Sequence, residues 1–145
     1  MGTGEGDRQD PRRRSSERVQ RRWRDYVAPG GGRPVRAFIA KLRLDDRAVI
    51  AAAMREVRVH GTKRARHLRG DVYEVRAFAA NRGYRILFAE EGRLSQVLLG
   101  LHAIKKQTQP TPPAAIALAE RRLHDWRERG RAHRRGRLPD MPNKA

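Results

Sequence analysis

From Val72 to His102 the apolar residues of this chain recur at every second position, whereas around Val35 and again around Ile116 they recur every three or four. A period of two belongs to strands, whose side chains alternate between faces, and a period near 3.6 belongs to helices. Tyr73, Val75 and Ala77 share one strand face, with Glu74 and Arg76 on the other. Asn81-Arg82-Gly83 supplies turn chemistry. Tyr84, Ile86 and Phe88 then alternate with Arg85 and Leu87, and Glu90-Glu91-Gly92 turns the chain again. The run Val97 to Leu101, ending at His102, is apolar almost throughout, as in a central strand covered on both faces. Three strands with short turns predict an antiparallel meander.

The flanking segments read as helices. Pro34 suits a first helical turn, and Val35, Phe38, Ile39 and Leu42 follow at i, i+3, i+4 and i+7. Asp45 or Asp46 is placed to cap a second helix. Its inner face would be Val49 or Ile50, Ala53 or Met54, and Val57, and Gly61 would end it. Thr111 before Pro112 predicts the cap of a last helix carrying Ile116, Ala119, Leu123 and Trp126. Arg21 to Ala28, with Trp23, Tyr26 and Val27, reads as a first strand before Pro29-Gly30-Gly31-Gly32. The fold class is therefore α+β: a small antiparallel sheet with two N-terminal helices and one C-terminal helix packed on it. Residues 1–18 and 131–145 are Arg-rich and without periodicity, and read as disordered basic tails around a domain at 19–130.

Charge narrows the partners. The formal net charge is +18. Residues 1–33 carry nine Arg against five acids, and 131–145 carry five basic residues against one. The middle, 34–130, has twenty basic and ten acidic residues, so the domain itself is cationic. Such a field draws polyanions and speeds their association, which points to nucleic acid. Cysteine is absent, excluding disulfides and thiolate metal sites. The N-terminal stretch lacks the apolar segment of a secretory signal, and no apolar run is long enough to span a membrane. A cytoplasmic protein is the simplest reading.

No nucleotide-binding glycine loop, zinc-protease helix or carboxylate cluster occurs. The polar residues of the meander are more informative. With Tyr73, Val75 and Ala77 inward, Arg76 points away from the core. With Tyr84, Ile86 and Phe88 inward, so does Arg85. If Val97, Leu99 and Leu101 form the inner face of the last strand, His102 joins them. Arg76, Arg85 and His102 would then converge on one open sheet face, with Lys105 and Lys106 at its edge, a surface suited to a phosphodiester. Arg76 and Arg85 with Glu74 could instead simply form solvated cross-strand pairs.

The segment Leu68-Arg69-Gly70-Asp71-Val72-Tyr73-Glu74-Val75-Arg76 resembles the "L-x-G-x-[LV]-[WY]-E-[LV]-R" block of the RelE/ParE toxin superfamily, in particular its HigB-like, phage-derived branch. Tyr84 to Phe88 resembles that branch's "[YF]-R-[IV]-[LF]-[YF]" strand. Leu99 to Pro112, which includes His102-Ala103-Ile104-Lys105-Lys106, resembles its "L-L-H-x-F-x-K-K" block, and Ile116 to Leu123 its closing helix. The four blocks cover about residues 20–129 in the family's order. The resemblance implies a RelE-like fold and the toxin of a type II toxin–antitoxin pair. It implies a ribosome-dependent mRNA endonuclease that uses the ribose 2′-OH as nucleophile and needs no metal or other cofactor. The partners would be ribosome, mRNA and a cognate antitoxin, commonly a helix-turn-helix protein. Arg76 and Arg85 would be the catalytic cations and His102 a base or acid. Lys105 and Lys106 would stabilise charge or hold ribosomal RNA, and Lys63 lies where such toxins carry other basic residues. Ile104 stands where the family block has Phe, and the Asp-Tyr-His or C-terminal Tyr of some relatives is missing. A gyrase-poisoning toxin of the same fold and a noncatalytic nucleic-acid-binding module are the alternatives.

Overall fold

The computed structural model of the chain describes residues 19–106 and 110–140. In chain order its elements are β1 (Arg22–Asp25), α1 (Pro34–Ala40), α2 (Leu44–His60), a one-turn 3-10 helix (Gly61–Arg64), β2 (Arg66–Arg69), β3 (Val72–Ala79), β4 (Arg82–Glu91), β5 (Val97–Lys105) and α3 (Pro113–Asp140). The strands form one five-stranded sheet in the order β1-β5-β4-β3-β2. The expected meander is β3-β4-β5, antiparallel as the short turns require. The sheet as a whole is mixed, because β1 lies parallel to β5. The architecture is α+β and consistent with a RelE-like fold.

Strand β2 carries no sequence signal of its own. Its residues Arg66-His67-Leu68-Arg69 lack the β-branched and aromatic types that favour strands. It forms because Gly70, at φ 55°, turns the chain back onto β3. Its charged side chains suit an edge strand, where they discourage pairing with another chain.

Both faces of the sheet are covered. On one, α1 and α2 pack Val35, Ile50 and Val57 against Val75, Ala77, Tyr84, Ile86, Phe88 and Leu98. On the other, α3 packs Ala115, Ala119 and Leu123 against Val72, Leu87, Ala89, Leu99 and Leu101. Each fully buried large apolar side chain, such as Ile86 or Phe88, stabilises the fold by roughly 1.5–3 kcal/mol. Trp23 bridges layers: its ring meets Phe88 edge-on at 5.0 Å and its indole N–H donates to the Met54 carbonyl at 2.8 Å.

Two helix starts differ from expectation. Helix α2 is preceded by Arg43 with no side-chain cap. Asp45 and Asp46 sit in its first turn, where their charge suits the helix dipole. Asp46 is buried and accepts hydrogen bonds from Arg82 (both at 2.8 Å) and from the Tyr84 hydroxyl, fastening α2 to β4. Thr111 does not act as a free cap for α3, for its hydroxyl is engaged on the sheet. Gly61, at φ 81°, ends α2 as read from the sequence.

Helix α3 continues through 131–140, part of the stretch expected to be a disordered tail. Arg is a good helix former, and that segment lacks apolar periodicity because it has no sheet to cover. The expected tail at 1–18, residues 141–145 and the Gln107-Thr108-Gln109 part of the His102 block lie outside the described residues.

Candidate functional site

Strand register sets the site. Glu74 of β3 pairs with Leu87 of β4, and Leu87 with His102 of β5. One step along, Arg76 pairs with Arg85, and Arg85 with Ile104. Directly paired residues point to the same face, so Glu74, Arg76, Arg85 and His102 share the face that α3 covers. The sequence places Arg76, Arg85 and His102 together for a reason the structure corrects. Leu87 pairs with His102 but Phe88 pairs with Gly100, so Leu101 is an extra residue in β5. This bulge puts Leu101 and His102 on the same face, where strict alternation would have separated them.

The face is not open. Arg85 is 2% exposed and Glu74 1%. The chain leading into α3 lies over them and contributes Thr111. The Thr111 hydroxyl donates to Glu74 and accepts from Arg85 at 2.6 Å. Glu74 also accepts from Arg76 Nε at 2.8 Å and lies 3.9 Å from the Arg85 guanidinium. A hydrogen-bonded carboxylate is what makes burial of a permanently charged Arg tolerable. Desolvation pushes the Arg85 guanidinium below its usual range, Glu74 opposes this, and the like charges of Arg76 and Arg66 add to it. Arg76 reaches the surface, with 23% of its side chain exposed. Of the two expected catalytic guanidiniums, only Arg76 reaches solvent to this extent, and Arg85 lies beneath it.

His102 is half-buried. The Arg122 guanidinium from α3 approaches its Nδ1 at 3.3 Å and donates to the Leu101 carbonyl at 2.8 Å. Burial, and then the Arg122 charge, push the imidazole pKa below its usual value. Both causes favour the neutral ring. Because a guanidinium can only donate, Nδ1 is the acceptor and the hydrogen sits on Nε2.

Lys105 pairs with Tyr84, whose side chain belongs to the α1/α2 core, so Lys105 is on that side and exposed. Lys63 is exposed in the 3-10 helix after α2, beside Ala65, which packs on the same core. The Lys106 amide, just past β5, donates to the Gly83 carbonyl at 2.8 Å, which sets its backbone across from Gly83. Of the expected residues, Arg76, Arg85 and His102 thus share one face, Lys106 follows at the end of β5, Lys105 lies across the sheet, and Lys63 is exposed after α2.

Four residues near the site were not read from the sequence as part of it. Glu74 shares a face with Arg76 two residues away, a signal that reads equally as a surface pair. Phe78 follows on the same face by the same alternation. Thr111 was read only as a helix cap, and Arg122 of α3 carried no signal. Among the described residues no group of three His, Asp or Glu side chains forms a metal-ligand set. A cavity of about 400 Å³ opens elsewhere, between β1 and the helices, lined by Trp23, Val35, Ile39 and Met54.

Residues 37–124, which contain every element of this face from β3 to the covering part of α3, match the family of phage-derived Gp49-like proteins (DUF891). The chain belongs to the Gp49-like family. That family is part of the RelE/HigB-like toxin clan, so the resemblance read from the four sequence blocks and the family agree. The match spans both Arg76 and His102, and stops within α3 before its Arg-rich extension. No curated protein matches this Gp49-like chain. Among the described residues of the Gp49-like protein, no helix is long and apolar enough to cross a membrane.

Proposed function

We propose that this protein is the toxin of a type II toxin–antitoxin pair and cleaves mRNA on the ribosome, held in check by a cognate helix-turn-helix antitoxin. The observation that carries the reading, within a toxin-like family, is a partly exposed guanidinium fixed by a buried carboxylate, with an imidazole on the same sheet face two strands away. In the reaction the ribose 2′-oxygen attacks the adjacent phosphorus and the bond from phosphorus to the 5′-oxygen breaks. The products are a 2′,3′-cyclic phosphate and a 5′-hydroxyl. The proton of the 2′-OH must pass to a base, and the departing 5′-oxygen must gain one.

Arg76 stabilises the charge that grows on the phosphorane. Its grip by Glu74 reduces the reorganisation needed in the transition state. His102, whose neutral form is favoured, suits the acceptor of the 2′-OH proton. To accept it at Nδ1 the long contact with Arg122 opens. Lys106 is placed to neutralise the leaving side or to hold RNA. Arg85 positions Glu74 and Thr111 and does not touch substrate. Lys63 and Lys105 hold ribosomal RNA away from the chemistry. The cations are dispersed along the uncovered margin of the sheet face, so alignment of the RNA comes from the ribosome, and such positioning is worth many orders of magnitude in rate.

The test is induced expression of the full chain in bacteria with pulse labelling of protein and DNA synthesis. Protein synthesis is expected to fail first, with mRNA fragmented, and co-expression of a cognate helix-turn-helix antitoxin is expected to restore growth. If DNA synthesis fails first while mRNA stays intact, the gyrase-poisoning alternative holds instead. If neither changes at high expression, the protein is not a toxin.

A further inference from the structure

Phe78 is 63% exposed, the one aromatic among the large hydrophobic side chains that face solvent within the described residues. A single exposed apolar residue is ordinary on a protein surface. The neighbours of this one are not. By strand alternation Phe78 shares the face of Glu74 and Arg76, two residues beyond Arg76, a rise of about 7 Å along the strand. Its cross-strand partner on β4 is Gly83, which places no side chain beside the ring. The next position across is Lys106, whose amide is bonded to the Gly83 carbonyl. The row Phe78-Gly83-Lys106 thus runs beside the row Arg76-Arg85-Ile104, and sets an exposed ring next along the strand from Arg76, with Lys106 two strands away.

We propose that Phe78 is the stacking face for an unpaired RNA base, and that Arg76 and Lys106 hold the phosphates flanking it. The inference deepens the proposed function and rests on it for the identity of the ligand. A base has a π-face whatever its sequence, so such a platform grips single strands without reading them, while cations beside it track the backbone. Duplex RNA keeps its bases stacked internally and gains nothing from the ring. Arg76 then has two roles on one strand: it binds the phosphate next to the stacked base and faces the phosphate that is cleaved.

The experiment measures binding of the full chain to a short single-stranded oligoribonucleotide carrying 2-aminopurine, and to an abasic oligomer of the same length and charge. Phe78→Ala is expected to weaken the base-bearing oligomer on the order of 10-fold, to abolish quenching of the 2-aminopurine, and to leave the abasic oligomer unchanged. Phe78→Trp is expected to bind the base-bearing oligomer at least as well as the wild type. Equal binding of both oligomers by the wild type, or an equal loss of both in Phe78→Ala, overturns the proposal. Growth arrest is scored in parallel. Phe78-dependent stacking without arrest keeps the platform and sinks the toxin reading, whereas arrest without stacking does the reverse.

Discussion

Replacing Glu74 with Gln removes the carboxylate shared by Arg76, Thr111 and Arg85 while keeping its shape. Arg76 loses a counter-charge but can be solvated, because part of its side chain is exposed. Arg85, 2% exposed, cannot. Breaking a buried ion pair by removing one partner typically costs about 3–5 kcal/mol. Thr111 still reaches Arg85 after the change, which places the expected loss near the lower end, about 3 kcal/mol. For a domain of this size that corresponds to a melting temperature lower by roughly 10 °C. Urea and thermal unfolding followed by circular dichroism measure it. A triple apolar replacement, Glu74→Leu with Arg85→Met and Thr111→Val, is expected to recover most of the loss, since it leaves no stranded charge. A loss below about 1 kcal/mol for Glu74→Gln alone would mean that the buried guanidinium does not depend on this carboxylate.

Two further outcomes follow from the titrating groups. Hydrogen bonds from Arg82, and then from Tyr84, hold the Asp46 carboxyl at about 2, below its unfolded value near 3.9. Its contribution is therefore complete above the unfolded value and lost as pH falls through about 2, so Asp46→Asn should lower stability at pH 7 and flatten the acid limb of urea unfolding. An unchanged acid limb would remove Asp46 from the account. Arg122 helps hold His102 neutral, so Arg122→Gln should raise the imidazole pKa in a proton NMR titration and move the ascending limb of the pH–rate profile upward. A lower or unchanged His102 pKa would contradict the assigned geometry.

The periodicities that made the fold legible were those of its covered surfaces. Tyr84, Ile86 and Phe88 alternate with Arg85 and Leu87 because β4 is packed on two sides. Helix α1 was legible from Pro34 and one apolar stripe. Strand β2 was not, since an edge strand formed by a Gly70 turn needs no apolar face. The parallel placement of β1 was not either, for it depends on which edge of the meander remains free. The shared face of Arg76, Arg85 and His102 was legible, but its burial was hidden. Alternation assigns Arg85 to a face and cannot say that Thr111, 26 residues on, closes over it. The bulge at Leu101 was equally hidden, and without it His102 would face α1 and α2.

The central claim is that Arg76 stabilises a phosphorane on a ribosome-bound message. Single-turnover cleavage of mRNA on programmed ribosomes, with the new ends mapped chemically, tests it most directly. The account predicts a 2′,3′-cyclic phosphate on one product and a 5′-hydroxyl on the other. It also predicts a rate lower by on the order of 10²-fold for Arg76→Ala, and a poor Arg76→Lys, because a point charge does not reproduce the planar guanidinium. Cleavage by Arg76→Ala at the wild-type rate, or products ending in a 5′-phosphate, would contradict it.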